Sequence, residues 1–328
     1  MKPIILSICI PTYNRAKSLK RCIENIIQYK SQFIEIIISS NNSVDNTDEV
    51  VKSFDDGRIR YFKNKKNLGF DENLLKTVEY ANGEYVFFLS DEDFIDHNAL
   101  SRLLTYLSKK NNVSQILGTV IQHDNRICSS YGDMYLKKGS ESLERILFNY
   151  AYMSGIVLKK NSLDLEKAKS YISCAYMFIV FQAQAMVKGD TLCSSRIFCA
   201  QGPVENESFN RKEILKSSDK GKPIANPYHY SSRIYQLKEK IRLVYEISED
   251  DRTKNILLNK LTIQAADSLV SAPAYHLKPF FSNLWSIKEI RHSKMFVPYL
   301  FKCAIIHILF KVRNRFTVSS CRRARLLC

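Results

Sequence analysis

Apolar residues form short uninterrupted runs in the first third of the chain, and these runs alternate with segments of helical spacing. The runs are rich in Ile, Val and Phe, as buried parallel strands are. In the segments between them, apolar residues recur every three or four positions, which is typical of a helix with one buried face. This alternation predicts an α/β fold with a mostly parallel sheet and flanking helices. The four predicted strands are Ile4 to Ile10, Ile34 to Ser39, Ile59 to Phe62 and Tyr85 to Leu89.

Beyond Ser114 the alternation loosens into mixed strands and helices, and we expect residues 1–210 to form one domain. Two long apolar segments follow. Ser170 to Val187 has no charged residue over 18 positions, close to the ~20 that cross a bilayer, but its serines and glutamines favour a buried core helix. Met295 to Phe310 is interrupted by Pro, Lys and His, so it is a weak spanning candidate that suits the membrane interface better.

The remainder of the chain is polar and then basic. Asn206 to Pro227 is rich in Lys and contains two prolines, so we interpret residues 211–227 as a linker or loop. From Lys288 onward there are ten Lys and Arg and the single acid Glu289. Residues 228–328 are therefore predicted to form a helical, basic C-terminal region.

Composition and charge narrow the function classes. The chain has 328 residues, of which 45% are hydrophobic, with only 10 Gly and 8 Pro, so it is neither disordered nor collagen-like. Its 49 Lys and Arg exceed 33 Asp and Glu, giving a net charge of +16. This excess motivates one alternative function, a polyanion or nucleic-acid binding protein without catalysis. No nucleic-acid reader module accompanies the charge, so we do not expect nucleic acid as the partner.

Cysteine usage and the first residues bear on location. Nine cysteines are scattered without a C-x-x-C pair or a Cys/His zinc spacing, which fits a reducing compartment. The beginning of the chain lacks the long apolar core and the small-residue cleavage site of a signal peptide. We therefore expect a cytoplasmic protein.

Polar side chains follow three of the predicted strands. They lie in Pro11-Thr12-Tyr13-Asn14-Arg15, Ser40-Asn41-Asn42-Ser43 and Asp91-Glu92-Asp93. The carboxyl ends of parallel strands meet at one edge of a sheet, where ligands bind. These three clusters supply an aromatic ring, hydroxyls and amides for a base and ribose, and carboxylates for a cation. The sequence therefore predicts a nucleoside-diphosphate site at this edge.

The acids Asp91 and Asp93, placed directly after a buried run, are the sharpest chemical signal. Mg²⁺ and Mn²⁺ commonly take one or two protein carboxylates and complete their shell with phosphate oxygens and water. The alternative is helix capping, since acids near a helix N-terminus stabilise it by ~0.3–1 kcal/mol without a metal. The uniformly apolar run before Asp91 favours the metal.

Five short motifs, matched in order and spacing over about Ile4 to Leu107, resemble glycosyltransferase family 2. The segment Asn67 to Asn73 is similar in sequence to members of the abequosyltransferase-like branch, which builds bacterial surface polysaccharides. The motifs are Ser7 to Arg15, Glu35 to Ser39 with Asp45-Asn46-Thr47, Asn67-Leu68-Gly69 with Asn73, Ala81 to Tyr85, and Ser90 to Asp93.

The resemblance implies a GT-A fold, a nucleotide-sugar donor, a Mn²⁺ or Mg²⁺ ion and inversion at the anomeric carbon. Residues 1–110 would form the nucleotide-binding half of the domain and residues 111–210 the acceptor half. By the same analogy, Asp93 would hold the metal and Asp91 would approach the ribose or sugar. The other residues expected at the donor are Pro11, Thr12, Tyr13, Arg15, Ser40, Asn73 and Glu92.

Two positions depart from the family pattern. The family usually has an Asp just past the second strand, where it bonds the base, but this chain has Ser40 followed by Asn41. Many members place an Arg before the residue that matches Asn73, whereas this chain has Glu72, which cannot pair with phosphate. The donor base is therefore left open.

No residue is assigned as the general base. Inverting transfer needs a group that takes the proton from the acceptor hydroxyl, and many relatives supply it from an acidic pair in the second half. This chain has no acid between Glu166 and Asp190. The remaining candidates, which also suit turns or the surface, are Asp124, Asp133, Asp190 and Glu205.

The basic end of the chain suggests where the enzyme works. Its arginines follow the apolar stretch Phe301 to Phe310 and suit the anionic inner leaflet of a membrane, which would bring the site to a lipid-linked acceptor; the alternative is a solvated helical end. The arginines are Arg313, Arg315, Arg322, Arg323 and Arg325.

We predict an inverting glycosyltransferase acting on a glycan or lipid-linked acceptor in bacterial surface polysaccharide synthesis. A nucleotidyltransferase on a related fold is disfavoured because Pro11-Thr12-Tyr13 replaces G-x-G-T-R.

Overall fold

One sheet of ten strands organises the part of the chain that the computed structural model describes. The described residues are 3–109, 111–149, 152–172, 176–202, 230–270, 277–293 and 296–300. The strands are β1 (Leu6–Thr12), β2 (Ile34–Ser40), β3 (Ile59–Lys63), β4 (Tyr85–Phe88), β5 (Asp93–Ile95), β6 (Val113–Ile121), β7 (Ile127–Ser129), β8 (Met134–Leu136), β9 (Ile156–Lys159) and β10 (Asp190–Gln201).

The strands follow the order β3-β2-β1-β4-β9-β6-β10-β5 across the sheet, with β7 beside β6 and β8 beside β10. Strands β3, β2, β1 and β4 are mutually parallel, and β6 is parallel to β10. Strand β9 enters antiparallel between β4 and β6. The predicted mostly parallel sheet is therefore confirmed. All four predicted strands exist, although the first begins at Leu6 rather than Ile4.

Helices cover both faces of the sheet, because side chains of successive strand residues point to opposite sides. The helices are α1 (Ala16–Gln28), α2 (Thr47–Lys52), α3 (Phe70–Tyr80), α4 (His97–Leu107), α5 (Ser140–Ile146), α6 (Leu165–Lys169), α7 (Met177–Lys188), α8 (Tyr230–Ile247), α9 (Asp251–Val270), α10 (Leu277–Trp285) and α11 (Lys288–Arg291). In β1, Ile8 and Ile10 pack with α1 and α4, whereas Cys9 packs with α3 and α7 on the other face.

Helix α7 contains the second part of the apolar segment Ser170 to Val187, for which the sequence favoured a buried core helix over a membrane span. It is twelve residues long, and Phe181 and Ala183 within it are completely buried in the core, so the expected core helix is confirmed. Of the helices that the structure describes, none combines the length and the apolar character that a membrane span requires. The predicted linker 211–227, the stretch Phe301 to Phe310 and the arginines after it lie outside the described residues.

A buried polar network fixes the register of the strands at their amino ends. The Ser7 hydroxyl donates to Glu35 Oε1 at 2.6 Å, and the Gly83 amide donates to the Ser7 hydroxyl at 2.8 Å. Arg60 Nη1 donates to Glu35 Oε2 at 2.8 Å, and the Asn82 amide also donates to Glu35. Burial acts to raise the pKa of Glu35, but these hydrogen bonds outweigh it and hold the pKa below its usual value. The motif around Gly83 thus ties β1, β2 and β4 together.

Candidate functional site

The three polar clusters meet at the carboxyl ends of β1, β2 and β4, as expected from the sequence. The Thr12 hydroxyl, at the end of β1, donates to Asp91 Oδ2 at 2.7 Å. The backbone N–H of Asn41 donates to the Thr12 carbonyl at 2.9 Å, and the backbone N–H of Asn14 donates to the Ser43 hydroxyl at 3.0 Å. We call this edge of the sheet the lip.

Arg15 is the cation that contacts the acids at the lip. Its Nη1 lies 2.6 Å from Glu92 Oε2 and 3.2 Å from Asp91 Oδ1. The Asp91 side chain is 6% exposed and that of Glu92 is 37% exposed. Burial raises the pKa of Asp91 to about 6, even though Arg15 and Thr12 act to lower it. One guanidinium thus faces two carboxylates, one buried and one open to solvent.

Asp93 has different surroundings, although only one residue separates it from Asp91. It is completely buried, and its Oδ2 accepts hydrogen bonds from the Tyr152 hydroxyl at 2.8 Å and the Ser154 hydroxyl at 2.5 Å. No group of the described residues forms a hydrogen bond with its Oδ1. Burial raises the pKa of Asp93 to about 7, against the two hydroxyls, which lower it. Sequence reasoning missed Tyr152 and Ser154.

The chemistry of Asp93 bears on the expected metal ion. A buried carboxylate oxygen without a partner is costly, and either a proton or a cation satisfies it. Asp91, Glu92 and Asp93 offer only hard oxygens, the ligand type that Mg²⁺ and Mn²⁺ prefer, so the residues fit such an ion in kind. Within the described ranges, no three acids, His or Cys are already gathered around one point. Diphosphate oxygens and water would have to complete the shell.

Helix capping, the alternative use of these acids, is wrong. The chain after Asp93 continues as the short strand β5, and α4 begins only at His97. Asp96 caps that helix, because its Oδ1 accepts a hydrogen bond from the Ala99 amide at 2.7 Å. Asp91 and Asp93 are therefore available for other chemistry.

Ser40 and Asn73 lie in the lip but are enclosed by it. Ser40 is completely buried, and its hydroxyl donates to the Ser43 hydroxyl at 3.0 Å. Asn73 is 3% exposed; its Nδ2 donates to the Ser39 carbonyl at 3.0 Å and its Oδ1 accepts from Asn64 at 2.8 Å. In this arrangement both side chains shape the lip through hydrogen bonds to neighbouring protein groups.

Asn41, which the sequence placed in the second polar cluster without a role of its own, holds a neighbouring loop. Its Nδ2 donates to Asn67 Oδ1 at 2.7 Å and its Oδ1 accepts from the Leu68 amide at 2.8 Å. These bonds fasten the loop before α3 to the end of β2. The motif Asn67-Leu68-Gly69 is thus held by the residue that follows Ser40.

The loop after β1 presents one aromatic ring to solvent. Pro11 is buried within β1, whereas Tyr13 is 45% exposed. Asn14 has a positive φ of 53°, a conformation that Asn tolerates better than most residues, and its Oδ1 accepts from the Val44 amide at 2.8 Å. Asp45 accepts from the Ala16 amide at 2.9 Å and so serves the start of α1 from the next loop. These hydrogen bonds therefore connect the loop after β1 with the loop after β2.

The described candidates for the general base are all engaged in local structure. Asp124 pairs with Arg126 in an exposed turn, and Asp133 accepts from the Ser195 hydroxyl at 2.6 Å. Asp190 is 3% exposed and accepts from the Tyr135 hydroxyl at 2.6 Å. Glu205 lies outside the described residues. Turn and structural roles, the alternative given for these acids, therefore account for the contacts of the three described ones.

One acid that the sequence did not mark reaches the start of α7. Asp71, in the first turn of α3, is 4% exposed, and its Oδ1 accepts from the Met177 amide at 2.9 Å. Two neighbouring rings, Phe70 and Phe178, meet edge to face with centroids 6.5 Å apart. The N-terminal ends of α3 and α7 are thus joined beside the lip.

An open pocket of about 940 Å³ lies at the other end of β5 and shares no residue with the Thr12–Asp91 contact. Two arginines and two aspartates line it together with short polar side chains. The polar lining residues are Asp96, Asn98, Arg102, Asp133, Ser195 and Arg196.

In a comparison with protein families, residues 7–154 match the model described as glycosyl transferase family 2. This range contains all three polar clusters and also Tyr152 and Ser154, the partners of Asp93.

Two curated bacterial proteins are similar over much of the chain. The abequosyltransferase RfbV of Salmonella typhimurium is 36% identical over 234 residues, covering 64% of this chain and 69% of that protein. The GalNAc(5)-diNAcBac-PP-undecaprenol beta-1,3-glucosyltransferase of Campylobacter jejuni is 28% identical over 268 residues, covering 74% of this chain and 86% of that protein.

Among solved structures, Staphylococcus aureus TarS residues 1–349, crystallised in complex with UDP-GlcNAc, superposes with a TM-score of 0.65. The match covers 86% of this chain and 80% of that one, at 14% sequence identity. At this identity the likeness concerns the fold.

Proposed function

Since this chain belongs to glycosyltransferase family 2 and has a GT-A fold, we propose that it is an inverting enzyme that moves a sugar from a nucleotide-sugar donor to a glycan acceptor. The observation that carries the proposal is the Thr12–Asp91–Arg15–Glu92 cluster at the lip, with Asp93 beside it. Ligands of open parallel sheets bind beyond this edge, and the cluster offers both charge signs to a diphosphate and a sugar.

The proposed donor residues divide by what their side chains contact. Tyr13, which is 45% exposed, offers its ring to the base, next to Pro11 in β1. Asp91 approaches the ribose or sugar and is oriented by the Thr12 hydroxyl. Arg15 holds the two acids and brings positive charge to the diphosphate. Three further residues complete the proposed set: Ser40 and Asn73, which shape the lip, and Glu92 at its open side.

We propose Mn²⁺ or Mg²⁺ as the cofactor; Asp93 would hold it, since no described residue forms a hydrogen bond with its Oδ1. When bound, such an ion offsets the charge that grows on the departing nucleoside diphosphate. The chain's own contribution is to orient Asp93: hydrogen bonds from Tyr152 and Ser154 fix its other oxygen, and partners of this kind tune the affinity of metal ligands.

The proposed acceptor is a lipid-linked glycan of bacterial surface polysaccharide synthesis, and the proposed location is the cytoplasmic face of the membrane. Support comes from the names of the two relatives, one of which acts on an undecaprenol-linked glycan. Ten Lys and Arg from Lys288 onward, against one acid, suit contact with anionic lipid. Proton removal from the acceptor hydroxyl is left to a group that the described contacts do not assign.

A thermal-shift panel of nucleoside diphosphates and nucleotide sugars, with and without Mn²⁺, tests the proposal. A ligand at a hundred times its dissociation constant stabilises the fold by ~2.7 kcal/mol. We expect one nucleoside family to stabilise the wild type, with the Mn²⁺-dependent part lost in Asp93→Ala and kept in Gly57→Ala. Absence of any stabilisation, or an Asp93→Ala variant that responds like the wild type, would contradict it.

A further inference from the structure

Exposed apolar side chains lie near the end of the described chain, two of them on α10 and one directly after Phe296. Phe281 and Trp285, one helical turn apart on α10, are each 39% exposed, and Val297 is 44% exposed. The Phe281 and Trp285 rings are stacked, with centroids 5.7 Å apart and an interplanar angle of 18°. We call Phe281, Trp285 and Val297 the aromatic surface.

The exposed rings of the aromatic surface pack against a buried ring. Phe296 is completely buried, and its ring centroid lies 6.4 Å from those of both Phe281 and Trp285. Leu284 and Ile290 are 1% exposed and anchor α10 and α11 to the core. The buried faces of these helices are therefore satisfied within the protein, and the exposed rings are additional to the core.

Positive charge borders the aromatic surface. Lys288 and Arg291 on α11 are exposed, while the neighbouring acid Glu289 accepts a hydrogen bond from the Tyr245 hydroxyl at 3.2 Å. Lys288 and Arg291 therefore favour an anionic occupant of this surface. In the sequence, residues 301 to 328 also contain seven Lys and Arg and no Asp or Glu.

The positive charge of Lys288 and Arg291 distinguishes among three occupants of the aromatic surface: a second copy of the chain, the basic end of the same chain, and an anionic lipid surface. A second copy of the chain, docked through the same face, would bring Lys288 and Arg291 against their own equivalents, and the basic end of this chain carries the same sign. An anionic phospholipid surface carries the opposite sign, and Trp is enriched at the depth of lipid headgroups. Of these three occupants, the lipid surface is the one that matches both the exposed rings and the positive charges.

We infer that the aromatic surface docks on an anionic phospholipid bilayer, with the Trp285 ring at headgroup level and Lys288 and Arg291 facing lipid phosphates. This inference rests on the proposed function, because the lipid-linked acceptor proposed there lies in the same bilayer. It goes further by naming the surface of the protein that contacts the bilayer.

Trp285 is the only Trp among the 328 residues, so the tryptophan fluorescence of the full chain reports on this surface alone. Vesicles of equal parts phosphatidylglycerol and phosphatidylcholine should shift its emission to the blue, and brominated lipid should quench it. Vesicles of pure phosphatidylcholine should do neither. Emission that ignores the anionic vesicles overturns the inference, as does emission already shielded from a soluble quencher before lipid is added, since a protein segment would then cover the ring.

Co-sedimentation with the same vesicles gives the mutational test. We expect Lys288→Glu combined with Arg291→Glu to weaken vesicle binding about tenfold, and Trp285→Ala to weaken it as well. Ile127→Ala is the matched control, because Ile127 is 67% exposed on β7 outside this surface, and it should bind like the wild type. Equal losses in the control, or concentration-dependent dimerisation that Trp285→Ala abolishes, would overturn the inference.

Transfer to a soluble acceptor separates this inference from the proposed function. Trp285→Ala should transfer sugar to that acceptor at the wild-type rate. If the wild type transfers sugar but does not bind vesicles, the inferred membrane contact is wrong and the proposed function stands. If the wild type binds vesicles but does not transfer sugar, the proposed function is wrong and the membrane contact stands.

Discussion

The Thr12 hydroxyl donates a hydrogen bond of 2.7 Å to the Asp91 carboxylate, joining residues 79 positions apart in the sequence. Thr12 ends β1 and Asp91 follows β4, and these strands are parallel neighbours. Their ends must therefore reach the same edge. The bond compensates part of the cost of burying Asp91, which is 4% exposed, and it sets the direction of the carboxylate.

Removal of this hydroxyl should destabilise the protein. We expect Thr12→Val to lower the free energy of unfolding by about 1–3 kcal/mol, because a buried carboxylate oxygen loses its partner. Thr12→Ser keeps the hydroxyl and should lose less. Urea denaturation measures both values, and equal losses in the two variants would show that the methyl group, not the bond, matters.

Two glycines of the chain should respond oppositely to Ala. A Cβ at Gly83 would lie 2.7 Å from the backbone nitrogen of Ser7 and 2.9 Å from the Tyr85 carbonyl, whereas no atom in the described part of the chain lies within 4 Å of one at Gly57. We expect Gly83→Ala to cost about 1–3 kcal/mol of unfolding free energy. Gly57→Ala should be neutral or stabilise by up to about 1 kcal/mol. A Gly83→Ala protein as stable as the wild type would refute the close approach.

The turn before β3 should make the stability depend on acid pH. Arg58 holds Asp56 through two hydrogen bonds, at 2.9 and 2.6 Å, and these bonds lower the pKa of Asp56 to about 2. The folded pKa lies below the unfolded value, so this contribution is present above about pH 4 and is lost as the pH falls towards 2. Compared with Asp56→Asn, the wild type should be more stable by about 2 kcal/mol at pH 6, and the difference should shrink towards zero as the pH falls below 2. A constant difference over this range would contradict the assignment.

Much of the fold and part of the site follow from local sequence pattern. Apolar runs mark β1 to β4, and the acids Asp91 to Asp93 stand directly after one of them. The surroundings of Asp93 do not follow, because Tyr152 and Ser154 lie 59 and 61 residues away. The antiparallel entry of β9 beside β4 brings them there, and no local periodicity encodes that pairing. The sequence likewise gave no sign of the hydrogen bond from the Tyr135 hydroxyl to Asp190.

The hydroxyl partners of Asp93 should influence metal affinity. We expect Tyr152→Phe to raise the Mn²⁺ concentration that half-stabilises the nucleotide complex by about tenfold, because partners that orient a metal ligand contribute on that scale. Tyr135→Phe removes a comparable Tyr–Asp bond, of 2.6 Å, at Asp190 and should leave that concentration unchanged. Thermal shifts over a Mn²⁺ series measure both. If the two variants behaved alike, Tyr152 would have no specific relation to the ion.

Sugar transfer by the wild type and by Asp91→Asn tests the central claim most directly. Mass spectrometry of an acceptor glycan, with a donor chosen by the thermal-shift panel, should show one added sugar and one released nucleoside diphosphate per turnover. We expect the wild type to transfer and a folded Asp91→Asn protein to be slower by about a hundredfold or more. Transfer by Asp91→Asn at the wild-type rate would contradict the account, because the chemistry would then lie elsewhere than at the lip.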